Sequence, residues 1–298
     1  MRLLVTGTRG QVVTALLERA AAAGDVDVIA LGRPELDLAE PEQAARAIAA
    51  QDFDVLVNAA AHTAVDRAES EPKLAHRINC DGAAAAARAA ASRGTPIIQL
   101  STDYVFNGRK NGAWTEDDPA DPLSAYGRSK LAGEQAVLAG NPNAVILRTA
   151  WVYSPFGANF ARTMLRLAQT RDAVSVVSDQ TGTPTNALDI ADGVIAVARN
   201  LLREPQRREL YGVFHLSARP GDVPPTWADF AEEVFAASRR FGGPCAQVRR
   251  ITTAEYPTPA ARPANSLLDC SRLARVHGVV PPEWKASVPE TVRRILQG

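Results

Sequence analysis

Short runs of β-branched and leucine residues alternate, through the first half of the chain, with longer stretches whose apolar positions recur at helical spacing. The runs Leu3–Thr6, Val26–Leu31, Val55–Asn58, Pro96–Ser101 and Ala144–Arg148 predict buried strands. Between them, 11–23, Glu42–Gln51, a long run from about Lys73 to Arg93, and Ala125 to about Ala139 predict helices. The alanine block Ala83–Ala91 reads as a tightly packed helix rather than a low-complexity tract. Strands regularly separated by helices predict a parallel sheet covered on both faces, with ligands bound outside the carboxyl ends of its strands.

After about residue 150 the rhythm loosens and prolines gather, from Pro184 through Pro263. Helices are expected at 159–170, 189–203, 227–240 and 287–297. The expected fold class is α/β, a Rossmann-like doubly wound parallel sheet with a smaller C-terminal α/β substrate-binding part. Residues 1–150 are assigned to the dinucleotide-binding domain, rejoined by about 174–215, and residues 151–173 and 216–298 to the substrate part. No internal repeat is visible.

Composition removes several classes. The 298 residues carry 33 Lys+Arg against 33 Asp+Glu, and nucleic acid or an anionic membrane would call for a basic excess. No stretch reaches the ~18 unbroken apolar residues of a membrane span. Cys80, Cys245 and Cys270 are scattered without metal-ligand spacing, so three reduced thiols, no metal site and a cytoplasmic protein are expected.

Two motifs then carry chemistry. Gly7-Thr8-Arg9-Gly10-Gln11-Val12-Val13 follows the first strand and opens the first helix. Its glycines permit a tight turn and let backbone N–H groups reach a pyrophosphate at the helix N-terminus. The third glycine of the pattern is replaced by Val13. Beyond the second strand no acidic residue stands ready for both ribose hydroxyls. Arg33, with Arg9, suits a 2′-phosphate, so NADPH is expected ahead of NADH; the alternative is that Arg33 is a solvated loop charge and either cofactor serves. Asp37 accepts from the adenine amino group or caps a surface helix.

The second motif, Tyr126-Gly127-Arg128-Ser129-Lys130, puts a phenol and an ammonium one helical turn apart. A free tyrosine titrates near ~10, and the lysine, with a cationic nicotinamide ring nearby, is expected to favour the phenolate and bring that down toward the working pH. Thr102, at the end of the fourth strand, offers a hydroxyl to a substrate carbonyl beside Tyr126, and Asn79 orders a water that relays protons by way of Lys130. Taken singly, each of these has a purely structural reading; their order behind a dinucleotide loop is what favours catalysis.

The chain resembles the extended short-chain dehydrogenase/reductases, and among them the dTDP-4-dehydrorhamnose reductase family. The blocks that carry the resemblance are Gly7-x-x-Gly10-Gln11-Val12, Asn58 to Asp66, Ala68 to Pro72, Ser101 to Phe106, Tyr126 to Glu134, Arg148 to Tyr153, Asn159 to Ala161, Asp179 to Thr185, and Tyr256 to Ser266. The resemblance implies reduction of the C4 ketone of dTDP-4-dehydro-β-L-rhamnose by NAD(P)H, the last step of dTDP-L-rhamnose formation. It makes Tyr126 the proton donor, Lys130 its electrostatic partner and a ribose ligand, and Thr102 the tuning hydroxyl. Leu38, Ala60, Ala61, His62 and Thr63 would line the cofactor, and Asp103, Val105, Trp151, Asn159, Arg262 and Asn265 the dTDP-sugar. Some family members hold magnesium at a dimer contact with a glutamate where Ala15 stands here, so magnesium is not expected, while a homodimer stays open. The rival readings are a reductase or epimerase of another nucleotide sugar, and a non-catalytic NADP-binding regulatory subunit of methionine adenosyltransferase.

Overall fold

A computed structural model describes all residues, 1–298. β1 (Arg2–Thr6) passes through the glycine loop into α1 (Gln11–Ala23), which Gly24 ends in the left-handed conformation with its N–H returned to Ala20. β2 (Asp27–Leu31), α2 (Pro41–Ala49) and β3 (Val55–Asn58) follow. Pro41 sits in the first turn of α2, where no amide hydrogen is needed. The expected long helix is broken up: α3 (Val65–Ser70) and α4 (Pro72–His76) lead into a π-helical turn over Arg77–Gly82, then α5 (Ala83–Ala91). β4 (Ile97–Thr102), α6 (Ala125–Gly140) and β5 (Ala144–Thr149) complete the first half, with the Ser124 hydroxyl capping α6 by accepting from Gly127 N.

The second half comprises β6 (Val152–Tyr153), α7 (Phe160–Ala168), β7 (Ala173–Val177), β8 (Thr185–Asn186), α8 (Ala187–Arg203) and β9 (Gly212–His215). It closes with α9 (Trp227–Arg240), β10 (Gln247–Ile251), α10 (Ser271–His277) and α11 (Val288–Gln297). Helix α9 begins with a capping box, Thr226 and Asp229 each serving the other's backbone N–H.

The main sheet is entirely parallel, in the order β2-β1-β3-β4-β5-β9. Its order reverses between β1 and β3, which opens a crevice at their carboxyl ends. On one face α1 and α8 bury Leu16, Ile190 and Val194 against Val5 and Val57. On the other, Ile48 of α2, the alanines of α5 and Val137 of α6 cover Leu4, Leu56 and Ile146. Small side chains on α5 let it lie close to α2 and α6, and each fully buried Leu or Ile contributes about 1.5–3 kcal/mol. Ala15 is itself fully buried in the first of these layers.

The smaller unit packs α7, α9 and α11 around Phe230, Phe235 and Trp284. Its strand β7 pairs with β10, so the stretch from residue 174 does not enter the main sheet; the chain returns there through α8 and β9. No helix is long and apolar enough to cross a membrane.

Candidate active site

The catalytic candidates converge at the carboxyl end of β4. Thr102 is its last residue, Asp103 and Val105 begin the turn beyond it, and α6 runs back across with Tyr126 and Lys130 one turn apart. All three polar groups are buried beside Tyr126, with Asp103 only 3% exposed and Lys130 only 4%. Helix α6 can sink this deep because of two glycines. A Cβ on Gly127 would stand 2.2 Å from the Tyr104 carbonyl oxygen, and one on Gly133 only 2.0 Å from that of Asn79. Any larger residue there would push the helix, and its phenol, outward.

Burial dominates the electrostatics. It raises the Tyr126 phenol well above its ordinary value, an effect the Thr102 hydroxyl partly offsets by hydrogen bonding. The expected lowering by Lys130 is not produced by the protein's own groups. The Lys130 ammonium instead donates to the Leu100 carbonyl at 2.7 Å, and burial lowers its own pKa to about 8 against the opposing pull of Glu134. Glu134 lies one turn further along α6, clamped by the Arg148 guanidinium at 2.7 and 2.9 Å and by the Ser101 hydroxyl. Thr102 Oγ1 donates to Asp103 Oδ1 at 3.0 Å, while Asp103 Oδ2 is buried without a partner within hydrogen-bond reach. Burial lifts the Asp103 carboxyl to about 6, the Ser266 and Thr102 hydroxyls drawing it back.

Asn79, expected to order a relay water, is hydrogen-bonded within the fold. Its amide oxygen accepts from His62 N at 2.8 Å, and its amide nitrogen donates to Ser129 Oγ at 2.9 Å and to the His62 carbonyl at 3.2 Å. With both ends occupied it ties the loop after β3 to α6, which fixes His62 and Lys130 relative to each other. His62 is nearly buried, its Nδ1 without a partner and its Nε2 3.9 Å from Glu71; Thr63 is exposed.

The nucleotide loop fits a dinucleotide. Gly7 adopts φ 97°, a conformation that side chains rarely take. Gly10 opens α1 with no side-chain cap and no acidic residue in its first turn, so the N–H groups of Gln11 and Val12 are left for an anion. Gln11 Oε1 accepts from Ser154 Oγ at 2.7 Å, linking this loop to the smaller unit. Val13 is buried in the sheet-facing core and lies 3.4 Å from where a Gly7 Cβ would be. Thr6 Oγ1 donates to Asn58 at 2.6 Å and accepts from Ala59 N and Ala60 N, fixing the Ala60 and Ala61 turn at the end of β3. Arg9 and Arg33 are exposed at the end of this crevice and neither is in an ion pair, which suits a phosphate. Asp37 Oδ1 accepts from Ala39 N at 2.9 Å in a local turn, and it does not cap α2, whose N-cap residue is Glu40; Leu38 is buried, with its carbonyl against Gly82.

The substrate candidates divide. Trp151 is the one non-glycine residue at positive φ, 48°, and its indole stacks on Trp227 at 3.7 Å between ring centroids. Backbone held in that region costs of order 1–3 kcal/mol and marks functional positions. Trp227 carried no sequence signal of its own. Arg262 binds Asp66 at 2.7 Å and sits against the Tyr104 phenol, with Nη1 buried and unpartnered. Asn159 and Asn265, expected to contact substrate, are spent within the fold. The first caps α7 and donates to Ser154 and Phe156 carbonyls; the second donates to Lys110 and Gly112 carbonyls and accepts from Leu267 N. The Val105 side chain is fully buried, in the cluster with Phe106 and Trp114.

Known proteins resemble the whole of this arrangement. The family described as RmlD substrate binding domain matches residues 1–297. A dTDP-4-dehydrorhamnose reductase of Sinorhizobium fredii is 49% identical over 296 residues, 99% of this chain and 98% of that protein. The Salmonella typhimurium enzyme of the same name is 41% identical, covering 97% and 96%. Among solved structures, a dTDP-4-dehydrorhamnose reductase of Clostridium acetobutylicum superposes with a TM-score of 0.87 at 38% identity, covering 100% of both chains. One from Bacillus anthracis, solved in complex with NADP, does so at 0.87 and 31% identity, covering 99% and 98%.

Proposed function

The chain belongs to the RmlD substrate binding domain family, and from that premise we propose that it is an NADPH-dependent reductase of the C4 ketone of dTDP-4-dehydro-β-L-rhamnose. The observation that carries the reading is the buried Tyr126 phenol on the Thr102 hydroxyl, one turn from Lys130, beside an uncapped helix N-terminus. The four relatives just described all carry the matching name.

The dinucleotide would be held by the Gly7–Gly10 loop, by Arg9 and Arg33 at its 2′-phosphate, and by Ala60, Ala61 and His62 along its middle. When bound, NADPH supplies hydride for the sugar C4. The chain's own task is the proton. Because burial keeps Tyr126 protonated across the physiological range, the phenol arrives as an acid, and it donates Oη–H to the C4 oxygen as that oxygen gains charge. The Lys130 ammonium stabilises the phenolate left behind, and the Thr102 hydroxyl supports it by rotating its hydrogen from Asp103 to the phenol oxygen. Trp151 forms an apolar wall for the hexose and excludes water, while Arg262 Nη1 is placed for a polar group of the nucleotide diphosphate. Asn79 positions Lys130 and His62 without touching substrate. Asn159 and Asn265 act through the loops they hold.

Residues 1–150 with α8 and β9 form the dinucleotide part in this reading, and the remainder the sugar-nucleotide part. The protein acts in the cytoplasm, on a small molecule, with no nucleic acid or membrane partner, either as a monomer or as a homodimer. The test is to mix purified protein with the keto-sugar nucleotide and follow NADPH absorbance, identifying the product by NMR. Absence of NADPH consumption with fresh substrate rejects the proposal; a product epimeric at C4 assigns the enzyme to another sugar.

A further inference from the structure

The turn that carries Asn79 also gathers three metal-binding side chains that the catalytic reading does not use. His76, Cys80 and Asp81 present an imidazole nitrogen, a thiol sulfur and a carboxylate oxygen, all within 4.8 Å of one another. His76 Nε2 and Asp81 Oδ1 are 3.8 Å apart, and Cys80 is a free thiol.

The backbone explains how they meet. On an ordinary α-helix, residues four apart lie about 40° apart around the axis, but residues five apart diverge by about 140°. A helix of that kind would bring His76 and Cys80 together and turn Asp81 away. Here Arg77–Gly82 forms a π-helical turn, whose hydrogen bonds span one residue more. The extra residue in the turn swings Asp81 back over His76. Such turns are costly locally and concentrate at functional sites. This one is held from behind by α6, where Gly133 meets the Asn79 carbonyl; His76 and Asp81 are exposed to solvent and Cys80 is half-buried between them and α6.

The donor set defines the ion. Imidazole, thiolate and carboxylate together suit zinc and its borderline-soft neighbours rather than magnesium or calcium, which prefer oxygen. Zinc bonds of about 2.0–2.3 Å in a tetrahedron separate neighbouring donor atoms by roughly 3.3–3.8 Å. The His76–Asp81 separation lies within a few tenths of an ångström of that range for two N/O donors, and the Cys80 sulfur lies within 4.8 Å of both. We propose that His76, Cys80 and Asp81 form a surface site for a zinc-class divalent cation, with a fourth position open to water, that clamps the π turn behind the active site.

His76 and Asp81 are each about half exposed and pair with each other rather than with Tyr126, Lys130 or Thr102, so variants there are expected to leave the catalytic groups in place. The test uses cobalt(II) alone as the probe, with purified full-length protein. The expected result is a thiolate-to-cobalt absorption band that saturates at one equivalent, is lost in Cys80→Ser and needs at least tenfold more metal in His76→Ala. Zinc at a hundredfold excess over its Kd should raise Tm by about 5 °C in the parent protein and not in Cys80→Ser. No band at one equivalent, a band that grows only with large excess metal, or one that persists in Cys80→Ser overturns the proposal; persistence would place the metal at Cys245 or Cys270. None of these readouts depends on reductase activity, so the site and the proposed function stand or fall separately.

Discussion

The Glu134–Arg148 pair is the sharpest place to test how this active site is built. Both side chains are nearly buried, at 3% and 6% exposure, and the carboxylate takes three hydrogen bonds from the guanidinium and one from Ser101. Glu134→Gln keeps the shape but strands a buried guanidinium without its counter-charge, an error that costs about 3–5 kcal/mol. For a chain of this size that corresponds to a Tm fall of roughly 6–20 °C. Replacing both partners with apolar residues, Glu134→Leu with Arg148→Met, removes the stranded charge, and most of the loss should return. Arg148 also lies 5.1 Å over the Phe106 ring, a contact Met can keep. Glu134 has a second effect, because its charge opposes the burial that draws Lys130 down to about 8. In the proposed role Lys130 acts as an ammonium, so kcat/KM should hold level below pH 8 and fall above it. In Glu134→Gln that break should move to lower pH, and in Lys130→Met it should vanish. Thermal unfolding followed by circular dichroism, together with pH–rate profiles, reads both effects. A single variant losing less than about 1 kcal/mol, or a double variant no better than the single, would refute the account of the pair.

Four further outcomes are expected. Tyr126→Phe should lower turnover at least ~100-fold while leaving NADPH binding, read by fluorescence, unchanged; a near-normal rate removes Tyr126 as the acid. Asp103 has a folded pKa of about 6, above its ordinary value of 3.8, so its contribution to stability is complete below pH 3.8 and is lost as pH rises through 6. Asp103→Asn should therefore be the more stable protein at pH 7, by on the order of 2 kcal/mol, with the gap closing toward pH 4 in urea titrations; a constant gap would deny the buried charge. Arg33→Ala should raise KM for NADPH roughly tenfold or more and leave KM for NADH nearly unmoved, and equal effects on both would take Arg33 off the 2′-phosphate. Trp227→Ala frees the strained Trp151 indole, so KM for the sugar nucleotide should rise about 3- to 10-fold at constant KM for NADPH; no change would mean that Trp151 keeps its pose unaided.

The parallel sheet was legible because β1, β3, β4 and β5 are buried on both faces and read as unbroken apolar runs. β10, Gln247-Val248-Arg249-Arg250-Ile251, was not, since it belongs to a two-stranded pair with mostly exposed side chains. α3 and α10 are too short, at six and seven residues, to show a period. In the site, Tyr126, Lys130 and Thr102 declared themselves by type and spacing. What spacing does not reveal is where a polar side chain spends its hydrogen bonds. Asn79 reads as a proton-relay residue and Asn159 and Asn265 as substrate contacts, yet all three satisfy backbone groups, up to 155 residues away in sequence. The Asp66–Arg262 bond spans 196 residues, and the π turn that gathers His76, Cys80 and Asp81 depends on contacts made by another helix. Neither has a local pattern to find.

The chain leaves the main sheet after β5, comes back through α8 and β9, and departs again to build α9 and β10. Several covalent tethers therefore join the two halves of the crevice, in place of one flexible hinge. The smaller unit of a relative cannot be grafted on at a single splice point. Retargeting this scaffold to a different hexose requires exchanging at least two separate stretches of polypeptide together.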